Sequence, residues 1–271
     1  SSTASNPSDK EPPLIPHQLL PHPAHDRRGA SSFWAVIGLT PYLLFFSMAL
    51  PPSSSNAKER SASDPDWVTH KTQWHGFEQW HFQVAQRNAY LVRPEAPARG
   101  NPWIWRARFP GYHAEMDIAL VQLGFHIVYL DVAGLFGAPI AIDAADQCYQ
   151  HVRKHLNLAP KAAMEGVSRG GLFVYQYLLR FPDRVACLYA DTPVCDFKSW
   201  PGGKGTSKGS AGDWKKCQTA YKTSEAMAMS YEGNPVDQTE AIARSGVPLL
   251  HIISMNDRVV PVEENTLLLK Q

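Results

Sequence analysis

The chain has 271 residues, 44% of them apolar and 19% charged, enough for one large domain or two small ones around a substantial core. Lys and Arg number 26 against 25 Asp and Glu, and a net charge of +1 excludes a general binder of nucleic acid or anionic lipid, which needs a basic surplus. Four cysteines exclude a disulfide-dense scaffold, and without any C-x-x-C or H-E-x-x-H spacing the sequence calls for no metal or cofactor.

Residues 1–65 hold ten of the 22 prolines but only two of the 18 glycines, show no helical or strand period, and read as disordered. Inside them lies the apolar, uncharged run Phe33–Leu50, preceded by Arg27-Arg28 and ending in Ser47-Met48-Ala49. A positive flank, an apolar stretch and a small-x-small exit describe a secretory signal peptide. Its 18 residues are also just long enough for a retained membrane anchor, although Pro41 weakens a spanning helix. The expectation is a secreted or periplasmic protein that touches a membrane only through that anchor. A Ser-rich linker runs to Asp66. The 26 residues before Arg27 have no reading, and the folded domain is expected over 67–271.

From Trp67 the pattern changes. Phe77–Val84 and Asn88–Arg93 read as strands joined by a tight turn at Gln86-Arg87, and Pro102–Phe109 as an aromatic-rich third strand. A helix is expected over Ala114–Leu123 with Gly124 as its stop. His126–Val132 is a strand, Ile140–Leu156 a helix, Ala162–Val167 a strand, Gly171–Phe181 a helix stopped by Pro182, and Val185–Ala190 a strand. Asp213–Tyr231 has helical character, Val247–Ser254 reads as a strand, and Glu263 starts a last helix. Strands alternating with helices predict right-handed crossovers and an α/β fold, with a mostly parallel sheet covered by helices on both faces.

The chemistry sits at Gly166-Val167-Ser168-Arg169-Gly170-Gly171, a G-x-S-x-G pattern between a predicted strand and a predicted helix. A nucleophile lifted out of so sharp a turn needs small residues two before and two after it, and Gly166 and Gly170 meet that need. The turn also sets Ser168 at a helix N-terminus, where the dipole and free N–H groups favour developing negative charge. The competing reading is a glycine-rich turn with an incidental serine.

On GVSRGG, on Asp131-Val132-Ala133-Gly134 after one strand and on Asn256-Asp257-Arg258-Val259-Val260-Pro261 after another, the chain from Phe77 onward resembles the α/β-hydrolase superfamily. More narrowly it looks like secreted bacterial serine hydrolases of the esterase and prolyl-oligopeptidase branches. The resemblance implies Ser168 as nucleophile and Asp257 as the acid that orients a histidine, in the order Ser–Asp–His. Asp257 as a simple turn or helix cap is the alternative, with Asp191 and Asp196 as other candidates for the acid. The oxyanion hole would use the N–H of Arg169 and a second N–H from the loop after the third strand, at Ala107 or Arg108. Arg106 and Arg108 would bind a substrate carboxylate or form a surface pair. His113, in the same loop, would touch substrate or solvent.

The triad histidine has no obvious place. No histidine follows His251, which lies in an apolar strand and reads as a satisfied core residue. Val262–Gln271 begins a helix and stops soon after three leucines, which reads as a fragment whose last strand and histidine loop lie further on. An insertion over about 196–245 is expected to form a cap. Trp200 and Trp214 in it would line a sugar or aromatic site or pack as core, and its lysines would attract an acidic substrate or simply be solvated. Cys195 and Cys217 bracket the insertion, a spacing that an oxidising compartment would let close, whereas Cys148 and Cys187 read as buried thiols. These readings converge on a serine hydrolase acting on a small-molecule or carbohydrate ester, with a peptidase or a non-catalytic binding protein as alternatives.

Overall fold

The computed structural model describes residues 64–270 and the backbone of a short strand, β1 (Lys58–Glu59). The expected signal peptide or anchor at 33–50 lies outside the described residues. Strands β2 (His70–Trp74), β3 (Phe77–Val84), β4 (Arg87–Val92), β5 (Trp103–Arg106), β6 (His126–Leu130), β7 (Ala162–Val167), β8 (Val185–Asp191) and β9 (Leu249–Ile252) form one open sheet with β1, in the order β1-β2-β3-β4-β6-β5-β7-β8-β9. The strands from β6 to β9 run parallel to one another, and β1 to β4 continue the sheet as an antiparallel meander. Helices α1 (Glu115–Gln122), α2 (Pro139–Leu156) and α3 (Gly170–Arg180) make the crossovers, and α4 (Ala211–Tyr221), α5 (Glu225–Met229), α6 (Thr239–Arg244) and α7 (Thr266–Leu269) follow.

The strand period of two sorts the core onto two faces. Trp103, Trp105, Val128, Leu130 and Met164 meet α2 and α3, whereas Ile104, Ile127 and Val92 meet Val121 of α1. Helices therefore cover both faces, as near-continuous apolar strands require. Trp105 is fully buried and packs at a tilt against Phe173 and Tyr177 of α3, with ring centroids 5.8 and 5.2 Å away. On the α1 face the cover ends at β7. Cys187 of β8 and Leu250 and Ile252 of β9 are exposed there, so Cys187 is not the buried thiol expected from its apolar run.

Several boundaries shift for local reasons. The hairpin turn is Ala85-Gln86, not Gln86-Arg87, and both residues take positive φ (52° and 58°), the I′ geometry that fits strand twist. Strand β2 went unread because HKTQW is polar, yet it pairs along its whole length with β3 through a second positive-φ turn at His75-Gly76. The last helix does not start at Glu263: Val262–Glu264 is a 3₁₀ turn and α7 follows it. All four cysteines are free, so the 195–217 bridge is not formed; both thiols are buried, and Cys195 Sγ donates to Pro193 O at 3.7 Å.

Arg106, expected at the surface or at substrate, lies in the core with 1% exposure. Its Nη1 donates to Asp117 of α1 at 2.8 Å and to Glu165 of β7 at 2.5 Å. Its Nε and Nη2 donate to the carbonyls of Arg108, Phe109 and Tyr112, at 3.0, 3.0 and 2.5 Å. One cation thus ties three elements to the loop after β5. Asp117 Oδ1 and Glu165 Oε2 are buried without a donor. Burial first, and then the neighbouring Asp117, pushes the Glu165 carboxyl up to about 8, which favours its protonated form beside Arg106.

Two outcomes follow. Trp105→Ala, which removes a fully buried indole, is expected to lower the unfolding free energy by about 3–5 kcal/mol in denaturant titration. Glu165 holds a proton more tightly folded than unfolded, so its contribution is complete below its ordinary value of 4.5 and is lost as pH rises towards about 8. Glu165→Gln, which keeps the neutral shape, is therefore expected to flatten the dependence of Tm on pH across that window. An unchanged slope would refute the protonated carboxyl.

Candidate active site

Ser168 follows β7 directly and precedes α3, with φ +52°. That left-handed conformation is unfavourable for serine. Three backbone hydrogen bonds hold it: Ser168 N–H donates to Asp191 O, and Ser168 O accepts from the N–H groups of Gly171 and Val194, each at 2.9 Å. The glycines are steric requirements. A Cβ on Gly166 would lie 2.7 Å from Val174 Cγ2 and 3.1 Å from Gly170 O, and one on Gly171 would lie 2.6 Å from Val194 O. A Cβ on Gly170 would come within 3.2 Å of Arg108 Cβ, so the loop after β5 passes directly beside the elbow.

Two of the expected donors in that loop separate on geometry. The Ala107 N–H is taken up by Glu165 O at 2.9 Å, which extends the β5–β7 pairing by one residue. The N–H groups of Arg108 and Arg169 meet no acceptor among the described residues. Both flank the N-terminus of α3, so the free donors and the positive end of the helix dipole coincide beside Ser168.

The side chains of these two arginines are half-buried. Arg169 lies over the rings of Phe136 (5.2 Å) and Trp200 (5.8 Å), and its Nη1 is 3.5 Å from Asp213 Oδ1. Arg108 lies over Phe109 at 4.1 Å and forms no ion pair among the described residues. Burial first, and then the charge of Arg169, pulls the Arg108 guanidinium down to about 10; burial also lowers Arg169. Trp200 therefore stands beside the residue that follows the serine. His113 is exposed, with positive φ (49°), and packs edge-on against Tyr112. The helices of the insertion rest on the site through an apolar cluster of Phe136, Leu172, Phe197 and Trp214, so Trp214 is core. Phe136 and Asp213, which frame Arg169, carried no signal beyond their proximity in space.

Asp257 Oδ1 accepts the N–H groups of Val259 and Val260, at 2.8 and 2.9 Å, which shapes its own turn. Of the other candidate acids, Asp191 lends its carbonyl to Ser168, and Asp196 is half-buried with its carboxyl pushed up to about 6 by burial. His251 is held at both ring nitrogens, by the Tyr175 hydroxyl at Nε2 and by Thr266 Oγ1 at Nδ1 (3.0 Å). No histidine is hydrogen-bonded to Ser168 among the described residues. Nor do three or more metal-binding side chains converge, and no described helix is long and apolar enough to cross a membrane.

No family model matches this chain, and no curated protein does. Solved structures do. A puromycin-hydrolyzing peptidase from Mycobacterium tuberculosis is 15% identical, with a TM-score of 0.53 over 68% of this chain and 31% of its own. An acylaminoacyl peptidase from Pyrococcus horikoshii is 15% identical, with a TM-score of 0.54 over 72% of this chain and 34% of its own. The chain thus spans about a third of the length of either protein. Its strand order, its strand-serine-helix elbow and these likenesses agree: the described residues have the α/β-hydrolase fold.

Proposed function

We propose that this protein is a serine hydrolase that cleaves a carboxylic ester through an acyl-enzyme on Ser168. The observation that carries the proposal is the serine held at φ +52° between two unpaired backbone N–H groups, those of Arg108 and Arg169. In this reading Ser168 Oγ attacks the carbonyl carbon and its proton passes to a histidine outside the described residues, oriented by Asp257. The Arg108 and Arg169 N–H groups stabilise the oxyanion. The proton returns to the departing alkoxide, and water then releases the acid by the same route in reverse. Trp200 would form a wall of the substrate site.

An ester is preferred because it needs a less exacting proton delivery to its leaving group than an amide. A peptide substrate is the second reading, favoured by the names of the two structural neighbours, both peptidases.

The full-length protein is expected to react covalently with a fluorophosphonate probe at Ser168, mapped by peptide mass spectrometry, and Ser168→Ala to lose the label. A folded full-length protein that stays unlabelled would leave a binding protein as the better description. Rates on matched 4-nitrophenyl esters and 4-nitroanilides would then separate esterase from peptidase.

A further inference from the structure

The pair Arg108 and Arg169 is more than a source of backbone donors. Each guanidinium has a buried Nε with no partner. A buried donor without an acceptor is unfavourable, more so when it is charged. Both Nε atoms are unpartnered and buried, so a carboxylate would reach the side-on Nε–Nη edge, whose two parallel N–H groups match it, once the arginine side chains turn to meet it. Local countercharge is thin. Asp213 Oδ1 is 3.5 Å from Arg169 and is shared with Lys216 at 3.2 Å, while Arg108 has no ion pair among the described residues. Phe109, Phe136 and Trp200 supply the rings over which the two cations lie, and a ring face attracts a cation without neutralising its charge. The two arginines are joined through chain geometry as well: Arg169 follows Ser168, and Arg108 Cβ packs on the Gly170 that comes next.

We infer that Arg108 and Arg169 form a carboxylate-binding subsite beside Ser168, so that the substrate is an acyl compound bearing a free carboxylate a few bonds from the carbonyl that is attacked. The substrate assignment rests on the serine-hydrolase reading; the anion site itself does not. The carboxylate would accept from the side-on edges of both arginines and supply the charge that Asp213 alone does not. The expected preference is for hemiesters of dicarboxylic acids over their fully esterified counterparts.

The test uses the full-length protein and separates the two claims. Adipate and its neutral twin adipamide are titrated by calorimetry, with intrinsic tryptophan fluorescence as a second readout. Adipate is expected to bind about tenfold or more tightly than adipamide. Arg108→Gln and Arg169→Gln should each weaken adipate by a similar factor, and added salt should weaken it progressively. Circular dichroism checks that each variant is folded. If a Gln variant is not, Arg108→Lys and Arg169→Lys keep the charge but lose the fork, and they are expected to bind adipate with intermediate affinity. Equal binding of the two ligands, no binding of either, or unchanged adipate affinity in the folded variants would overturn the subsite. In parallel, 4-nitrophenyl hydrogen adipate is compared with its ethyl ester. The ratio of kcat/KM should favour the anion in the wild type and fall towards unity in both Gln variants. Adipate binding without fluorophosphonate labelling of Ser168 would keep the anion site and remove the hydrolase; labelling with equal rates on both esters would do the reverse.

Discussion

The site depends on the buried guanidinium of Arg106. Its two carboxylate partners come from α1 and β7, and its remaining donors meet the carbonyls of Arg108, Phe109 and Tyr112. A loop that leaves the end of a strand must otherwise satisfy its carbonyls with water or with its own turns. Here a single side chain satisfies three of them from inside the fold. Apolar replacement of a buried ionic cluster is often neutral or stabilising overall, so the value of Arg106 need not lie in net stability. It lies in position, because these donors help hold the loop at contact distance from Gly170. The N–H of Arg108 is free only because the loop turns away from β7 one residue earlier, at Ala107, whose own N–H still pairs with Glu165 O.

The charges around the serine follow from that placement. Arg106 is neutralised inside the fold, whereas Arg108 and Arg169 are left with Asp213 as their nearest shared acid. The N-terminus of α3 adds a partial positive charge in the same place. Two half-buried cations and a helix dipole oppose one another, and in the proposed reading a negative charge, on an oxyanion or in a bound anion, would relieve the conflict. Phe136 is buried and Trp200 half-buried, and both lie against Arg169, which lowers the local dielectric on that side of the site.

Much of this arrangement was legible in the sequence. Phe77–Val84 and Ala162–Val167 were readable to the residue, because apolar periodicity and flanking turns agree there. The elbow was legible for a steric reason, since Gly166 and Gly170 leave no room for a Cβ. What escaped was set by partners distant in the chain. Strand β2 is polar and is specified by its pairing with β3, although the His75-Gly76 turn was a usable hairpin signal. Arg106 looked like a surface cation because its two acids are 11 and 59 residues away. Cys187 looked buried because an apolar strand usually is, whereas only one face of β8 is covered. In the candidate site the serine and its glycines were readable, but the choice of Arg108 over Ala107 as a free donor required knowing which N–H the sheet consumes.

The distribution of local cost across the chain bears on what the elbow is for. Most of the described residues agree with their own preferences: Gly124 closes α1, Pro139 opens α2, and strands rich in branched and aromatic residues lie in the core. Costly features also occur singly elsewhere, such as the positive φ of Phe136 and Asn157 and the unpartnered Trp105 Nε1, but around Ser168 several of them adjoin. A serine takes a left-handed conformation, two arginines bury an unpaired Nε, and two N–H groups lack acceptors. Each feature is unfavourable for folding alone, and all of them border the same small volume. Packing gives no reason for them to coincide, because a glycine or asparagine at 168 would relax the turn and a leucine at 108 or 169 would remove a buried cation. In the proposed reading these features would serve together, with an acyl carbonyl at the free N–H groups and an anion at the two arginines.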